Sequence, residues 1–345
     1  MRPPIMAPRS GDVSDPRALR RIARLDLPPG WHLTQGARRR RAGCWSTTSA
    51  VAGAVIRLGG GLAIYDVQNP AEPRLLSKWS GGGRGVHRFD FDGRYAYISP
   101  TGRWLYRQYL RDPRPRRPGQ PRRETPLVDR GPVAGRRRGL SPPGDWPAPR
   151  CHHPLRLGDR LYVSYWHHGL FILDISELSR PKLISAVSTS PAFPHPTHTC
   201  LPIPQTLKGR RVMVVADEDV AKLWPSAPAF TWIYDITEER LPTPIATWQV
   251  EGPEFDGSPQ EPMTGCHQPS ERFAGTVIPF AWFAQGLRLV DIKDPFRPVE
   301  VGHFLPDVPP GADRPSSNDV TIDERGLVYL VDRIHGVDIV ATTVF

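Results

Sequence analysis

One pattern recurs along this chain and constrains its fold more than anything else. It opens on a polar residue or His and runs through a short strand and a Gly or Asp-Gly turn. A second β-rich run follows, then an apolar run ending in Asp-Ile or Asp-Val, then a turn with Pro. The clearest copy starts at His152-His153 and passes through Leu155–Leu157, Gly158-Asp159 and Leu161–Tyr165. It closes with Gly169-Leu170-Phe171-Ile172-Leu173-Asp174-Ile175 and Arg180-Pro181. Others start at His198, at His267 and at Asn318-Asp319, and two partial copies surround Leu62–Val67 and His87–Ile98. β-Branched and aromatic runs separated by Gly, Asp and Pro read as strands.

Four-stranded units at a period of ~45 residues are the mark of a β-propeller. The expected fold is therefore all-β, a β-propeller of about six or seven four-stranded blades. Sandwiches and solenoids are the alternatives with regular short strands. A helical 3.6-residue pattern is confined to Asp15–Leu25. Residues 1–35 read as an N-terminal extension, and 36–345 as a single propeller domain interrupted by the Arg/Pro-rich segment 101–149. The aspartate closing each apolar run reads as a turn cap.

That segment also explains the charge. The chain carries a net +10, but residues 101–150 hold 13 Arg against 4 acidic residues, so the rest is nearly neutral. Nucleic-acid binding asks for an even basic face, and one Arg/Pro block plus Arg38–Arg41 is not that. Basic residues are lopsided too, with five Lys among 45. The segment reads as either a disordered basic loop or a displaced reading frame. Gly36–Val55 carries the same mark.

The apolar repeat cores Gly169–Ile175 and Gly286–Ile292 resemble LVIVD repeats. The stretches Gly85–Asp90, Arg150–Pro154, Pro196–Thr199, Val214–Asp219, Gly265–Pro269 and Ser316–Val320 carry a wider, distant similarity to the selenium-binding protein/methanethiol oxidase group. The resemblance covers roughly 80–100 and 145–343. It implies a propeller with a histidine-held metal, and it argues fold better than activity.

Four His occupy one place in the repeat: His87, His153 (or its neighbour His152), His198 and His267, with Asn318-Asp319 at the fifth. In a propeller the start of each blade's first strand faces a central channel, so these imidazoles would converge. Converging imidazoles suit iron, copper or zinc. The expected metal ligands are His87, His153, His198 and His267, with Asp319 as a further ligand or orienter. Channel His and Asn also serve merely to satisfy backbone groups and ordered water.

Cys151, Cys200 and Cys266 lie within two residues of these His and are either soft ligands or small buried hydrophobes. Asp217-Glu218-Asp219 reads as a solvated loop, with metal support or general-base chemistry as the sharper alternative. His167 and His168 read as solvent-facing. Trp166, Trp232 and Trp282 read as packing between blades. P-loop, Rossmann and Gly-x-Ser-x-Gly signatures are absent from the sequence.

The expected function is a metal-dependent enzyme of oxidase or oxygenase type acting on a small molecule. Its cofactor is a divalent transition metal, with iron or copper favoured over zinc. The competing reading is a non-catalytic scaffold with a protein partner. No run reaches the ~18 apolar residues of a membrane helix. Met1–Arg24 has no apolar signal core and the chain has four Cys, so the expected location is cytoplasmic.

Overall fold

The computed structural model describes residues 9–18, 20–24, 36–38, 53–56, 61–66, 68–69, 71–80, 85–101, 109–111, 123–126, 150–220, 228–251 and 263–345. Among them no residue is helical, so no helix is long and apolar enough to cross a membrane. Among the described residues the strands form antiparallel meanders: five sheets of four strands, one of three and a separate two-stranded hairpin. The chain divides into two compact units, 1–156 with 175–181, and 157–174 with 182–345.

The first unit holds the sheet Gly36–Arg38, Gly53–Ile56, Gly61–Asp66, Arg74–Ser80 and the sheet Gly85–Phe91, Ala96–Thr101, Tyr109–Arg111, Arg123–Pro126. Leu62, Val86, Phe89, Ala96 and Ile98 form its buried core. The segment 101–149 thus supplies two short strands to a regular sheet, and most of the rest of it, like 39–52, lies outside the described residues. The helical periodicity at Asp15–Leu25 does not become a helix. Arg20–Arg24 pairs as a strand with Arg9–Asp12. Asp12 directs this by accepting the Ser14 amide and the Arg20 guanidinium, which closes a turn where a helix would have to start.

The second unit is entered through the strand His153–Leu157. It holds Arg160–Ser164, Leu170–Asp174, Lys182–Val187 and then the sheet Thr197–Pro202, Val212–Asp217, Thr231–Asp235, Thr243–Trp248. The sheet Gln268–Pro269, Val277–Ala281, Leu287–Asp291, Val299–Phe304 follows, and Ser317–Ile322, Val328–Asp332, Val337–Val340 close the chain. In each sheet of the second unit the last strand is the least buried. Thr197–Pro202 and Val212–Asp217 are buried throughout, whereas Thr243–Trp248 has no fully buried residue. Tyr162, Ile172, Met213, Val215, Trp232 and Tyr234 form one core cluster, and Leu287, Leu289, Val320, Val328 and Leu330 contribute to another. Burying side chains of this size contributes about 1.5–3 kcal/mol each.

The aspartates act as expected. Asp66, Asp235 and Asp291 each accept the backbone N–H two residues on. Trp166 is bridged to Thr197 outside the named strands, at the start of a turn. Trp282 directly follows Val277–Ala281 and meets Trp248 edge to face, their ring centroids 4.9 Å apart.

Candidate functional site

The histidine positions are set by β-bulges. Thr197 pairs with Asp217 and Thr199 with Ala216, so His198 is the extra residue between two ladder partners. Asn318 is displaced in the same way between Ser317 and Asp319. His87 falls in the shift between Val86 and Phe89. A bulge breaks the two-residue alternation and re-aims one side chain. His267 immediately precedes the strand Gln268–Pro269, and its N–H donates to Ala281. The sequence Cys266-His267-Gln268-Pro269 aligns with Cys151-His152-His153-Pro154. By that alignment His152, rather than His153, occupies the place of His267.

In the second unit, His198 and His267 come together, their ring centroids 4.4 Å apart, with Glu218 between them. Glu218 Oε1 lies 3.2 Å from His267 Nε2 and Oε2 lies 3.6 Å from His198 Nε2. All three are buried. His267 Nδ1 donates to the Asn318 carbonyl in a short hydrogen bond. A carbonyl only accepts, so Nε2 of the neutral ring points an electron pair at the carboxylate. His198 Nδ1 is 2.7 Å from the Thr199 hydroxyl.

Asp217-Glu218-Asp219 is not a solvated loop, since all three residues are buried. Each amide of the triplet bonds a different segment. Asp217 N–H donates to Phe230, Glu218 N–H to Pro196 and Asp219 N–H to Cys266. Asp219 Oδ2 accepts the amides of Thr264 and Gly265, and its Oδ1 lies 3.5 Å from His195 Nδ1. A Cβ on Gly265 would come within 2.6 Å of the Ala229 carbonyl, so only glycine allows this approach. Burial pushes the Asp217 carboxyl up to about 7, against the Trp232 indole N–H that donates to it at 2.8 Å.

In the first unit His87 and His152 face each other, Nε2 to Nε2, at 2.8 Å. One N–H between them accounts for that distance. Burial, then His87, Arg150 and Arg88, push the His152 imidazole well below its ordinary range. Those cations disfavour a further positive charge at this pair, whereas Glu218 invites one at the other. His153 is buried at the start of its strand. Asp319 accepts from the Gln268 amide and from the Val320 N–H.

Cys266 contacts the Thr231 hydroxyl at 3.6 Å, and burial pushes its thiol far up, which keeps it protonated and unsuited as a thiolate ligand. His167 is buried, contrary to its expected solvent exposure, and burial lowers its imidazole to about 4. Imidazole and carboxylate are ligand types that suit a divalent metal, and His198 and Glu218 offer buried atoms placed to hold one.

The LVIVD repeat matches residues 157–189. Solved structures align over most of the chain. A hypothetical selenium-binding protein from Sulfolobus tokodaii aligns with a TM-score of 0.59 at 14% identity, covering 92% of this chain and 76% of that one. The periplasmic gluconolactonase of Pseudomonas aeruginosa gives 0.56 at 10%, covering 81% and 75%. A chain of the mitotic checkpoint complex gives 0.57 at 10%, covering 96% and 82%. The fold is of the β-propeller type. In this propeller-type chain the LVIVD repeat spans Arg160–Ser164, Leu170–Asp174 and Lys182–Val187. Among curated proteins no match to the chain is found. Identities this low speak for fold and leave activity to the site.

Proposed function

We propose that this chain, a β-propeller of about six or seven blades, is a metal-dependent enzyme of oxidase or oxygenase type acting on a small molecule. Its metal is held by His198, His267 and Glu218. The observation that carries the reading is the meeting of His267 Nε2 with Glu218 Oε1 at 3.2 Å, the opposite nitrogen being committed to a carbonyl. The donor set suits iron(II), copper or zinc, and iron and copper are the two that fit oxygen chemistry. When bound, such a metal supplies an open position for dioxygen or substrate.

The chain's own residues do the rest. Glu218 balances the positive charge in a buried setting. The Asn318 carbonyl fixes the tautomer and angle of His267, as outer partners of metal-bound His do. Thr199 orients His198 in the same way. Asp219, held by two backbone amides, anchors the loop that places Glu218.

Elemental analysis of untagged protein purified without chelator tests this. About one equivalent of iron, copper or zinc, lost in His198→Ala and His267→Ala, is expected from the single site. Folded protein that takes up no metal on reconstitution overturns it. His87→Ala, His153→Ala and Asp319→Ala test the remaining expected ligands in the same assay.

One observation favours the scaffold reading instead. Val299 and Val301 on an outer strand are 55% and 39% exposed, and apolar outer strands suit a protein partner. A metal-free folded protein would move the assignment there.

A further inference from the structure

Turns at one end of two sheets of the second unit enclose a cavity of about 270 Å³. The guanidinium groups of Arg160, Arg211 and Arg240 line it, together with the carboxyl groups of Asp174, Glu238 and Glu239. The cavity is remote from the candidate metal site. Arg211 directly precedes the strand Val212–Asp217 and Glu218 directly follows it, so the two sites lie at opposite ends of one strand, roughly 20 Å apart at about 3.3 Å per residue.

The wall is held in place. The Glu239 carboxylate, 10% exposed, accepts Arg160 Nε at 2.7 Å and Arg211 Nη2 at 2.8 Å. The same Arg211 nitrogen donates to the Tyr162 hydroxyl at 3.0 Å. The turn that carries Glu239 is tied back to Arg211, whose N–H donates to Thr237 Oγ1 at 3.0 Å and whose carbonyl accepts the Ile236 N–H at 2.8 Å. These bonds fix the planes of two guanidinium groups and leave part of each unspent. Among the described residues, Nε and Nη1 of Arg211, Nη2 of Arg160 and the whole guanidinium of Arg240 have no hydrogen-bond partner.

The acceptors are more fully used. Both oxygens of Glu239 are bonded, Glu238 Oε1 takes the Arg240 amide at 3.1 Å, and Asp174 Oδ1 lies 3.4 Å from Arg160 Nη1. Three arginines and three acids cancel in formal charge, so the hydrogen-bond inventory, not the net field, selects the ligand. An excess of N–H donors calls for a ligand rich in acceptors. Guanidinium forks match oxyanions, and three of them around one cavity serve the three terminal oxygens of a phosphate group better than the two of a carboxylate.

We infer that this cavity is a second ligand site, which binds the phosphate group of a small phosphate monoester through Arg160, Arg211 and Arg240. It shares no residue with the metal site proposed above and does not depend on it.

Calorimetric titration of inorganic phosphate into the full chain tests this, with acetate for comparison and chelator-treated protein in parallel. Saturable phosphate binding, tighter than that of acetate and unchanged by the chelator, is expected. It should weaken about tenfold in Arg240→Gln and in Arg211→Lys, each of which loses a charge-assisted fork. Arg297→Gln alters an exposed arginine outside the cavity and should leave binding unchanged. The Arg240 side chain bonds no described residue, so Arg240→Gln should keep the wild-type thermal midpoint in phosphate-free buffer. Absence of saturable binding, acetate bound as tightly as phosphate, full affinity in Arg240→Gln, or equal losses in Arg240→Gln and Arg297→Gln overturns the inference. Loss of phosphate binding on chelation places the anion at a metal and overturns it as well.

Discussion

Nε2 of His267 stands 3.2 Å from Oε1 of Glu218, while Nδ1 of the same ring donates to the Asn318 carbonyl. With Nδ1 carrying the hydrogen, a neutral ring and a carboxylate present electron pairs to each other. Only a cation between them, a proton or a metal, makes that arrangement favourable in a buried site. Glu218→Gln removes the requirement, because the new amide N–H donates directly to Nε2. The variant is expected to fold and to bind its metal more than about 100-fold more weakly, since losing a ligand costs more than the 10–100-fold lost with an outer partner of one. Competition with a coloured chelator measures this, and an unchanged affinity would remove Glu218 from the ligand set.

Two glycines hold equivalent turns before the apolar strands Leu170–Asp174 and Leu287–Asp291. Gly169 has φ +84° and an added Cβ would lie 2.0 Å from the Val187 carbonyl, while Gly286 has φ +76° and its Cβ would lie 2.3 Å from the Phe304 carbonyl. Gly158 shares the positive φ, at +59°, but has open space around it. Gly158→Ala should therefore cost about 1–2 kcal/mol for the left-handed backbone alone. Gly169→Ala and Gly286→Ala should cost roughly 3 kcal/mol or more, because backbone must also move. Thermal midpoints of the three variants give the comparison, and equal losses would show that the close approach is relieved cheaply.

These turns and the strands after them were readable from the residues, because an apolar β-branched run between a Gly and an Asp has few other solutions. His152 and His153 are harder to tell apart from the residues alone. Adjacent strand residues point to opposite faces, and a single bulge reverses the assignment; only the shared Cys-His-x-Pro spacing at 151–154 and 266–269 signals it. Asp217-Glu218-Asp219 reads as solvated for a general reason. Three consecutive carboxylates are buried only when distant groups compensate, and the amides of Thr264 and Gly265 lie over forty residues away. Arg20–Arg24 misled by its helical spacing, which a hairpin with Arg9–Asp12 overrides.

His167 predicts a pH effect on stability. Burial first, then His168 and His195, lower its imidazole to about 4, with a hydrogen bond from the ring to the Pro194 carbonyl acting the other way. The unfolded chain takes up this proton near 6.5, so between pH 6.5 and 4 the unfolded state binds more protons. Stability from the neutral ring is present above 6.5 and is lost as pH falls through 4, by up to about 3 kcal/mol. His167→Asn should flatten the stability profile over that window. Urea midpoints at several pH values check it, and parallel profiles for variant and wild type would exclude His167 as the cause.

Glu239 ties two sheets of the second unit together. It accepts Arg160 Nε at 2.7 Å, Arg211 Nη2 at 2.8 Å and the Tyr162 hydroxyl at 3.3 Å. Burial alone would raise its carboxyl, but the two guanidinium groups outweigh this and hold it below the usual range. Glu239→Gln keeps the shape and leaves two cations facing one another without their shared anion. Because Arg160 and Arg211 are 31% and 43% exposed, water screens part of the effect. A loss of about 1–2 kcal/mol is expected in dilute buffer, shrinking at molar salt. The depressed carboxylate also sets a direction with pH: its contribution is present above the unfolded carboxyl value of 4.5 and is lost as pH falls. Thermal midpoints at two salt concentrations distinguish this network from simple packing, since a packing loss would be indifferent to salt.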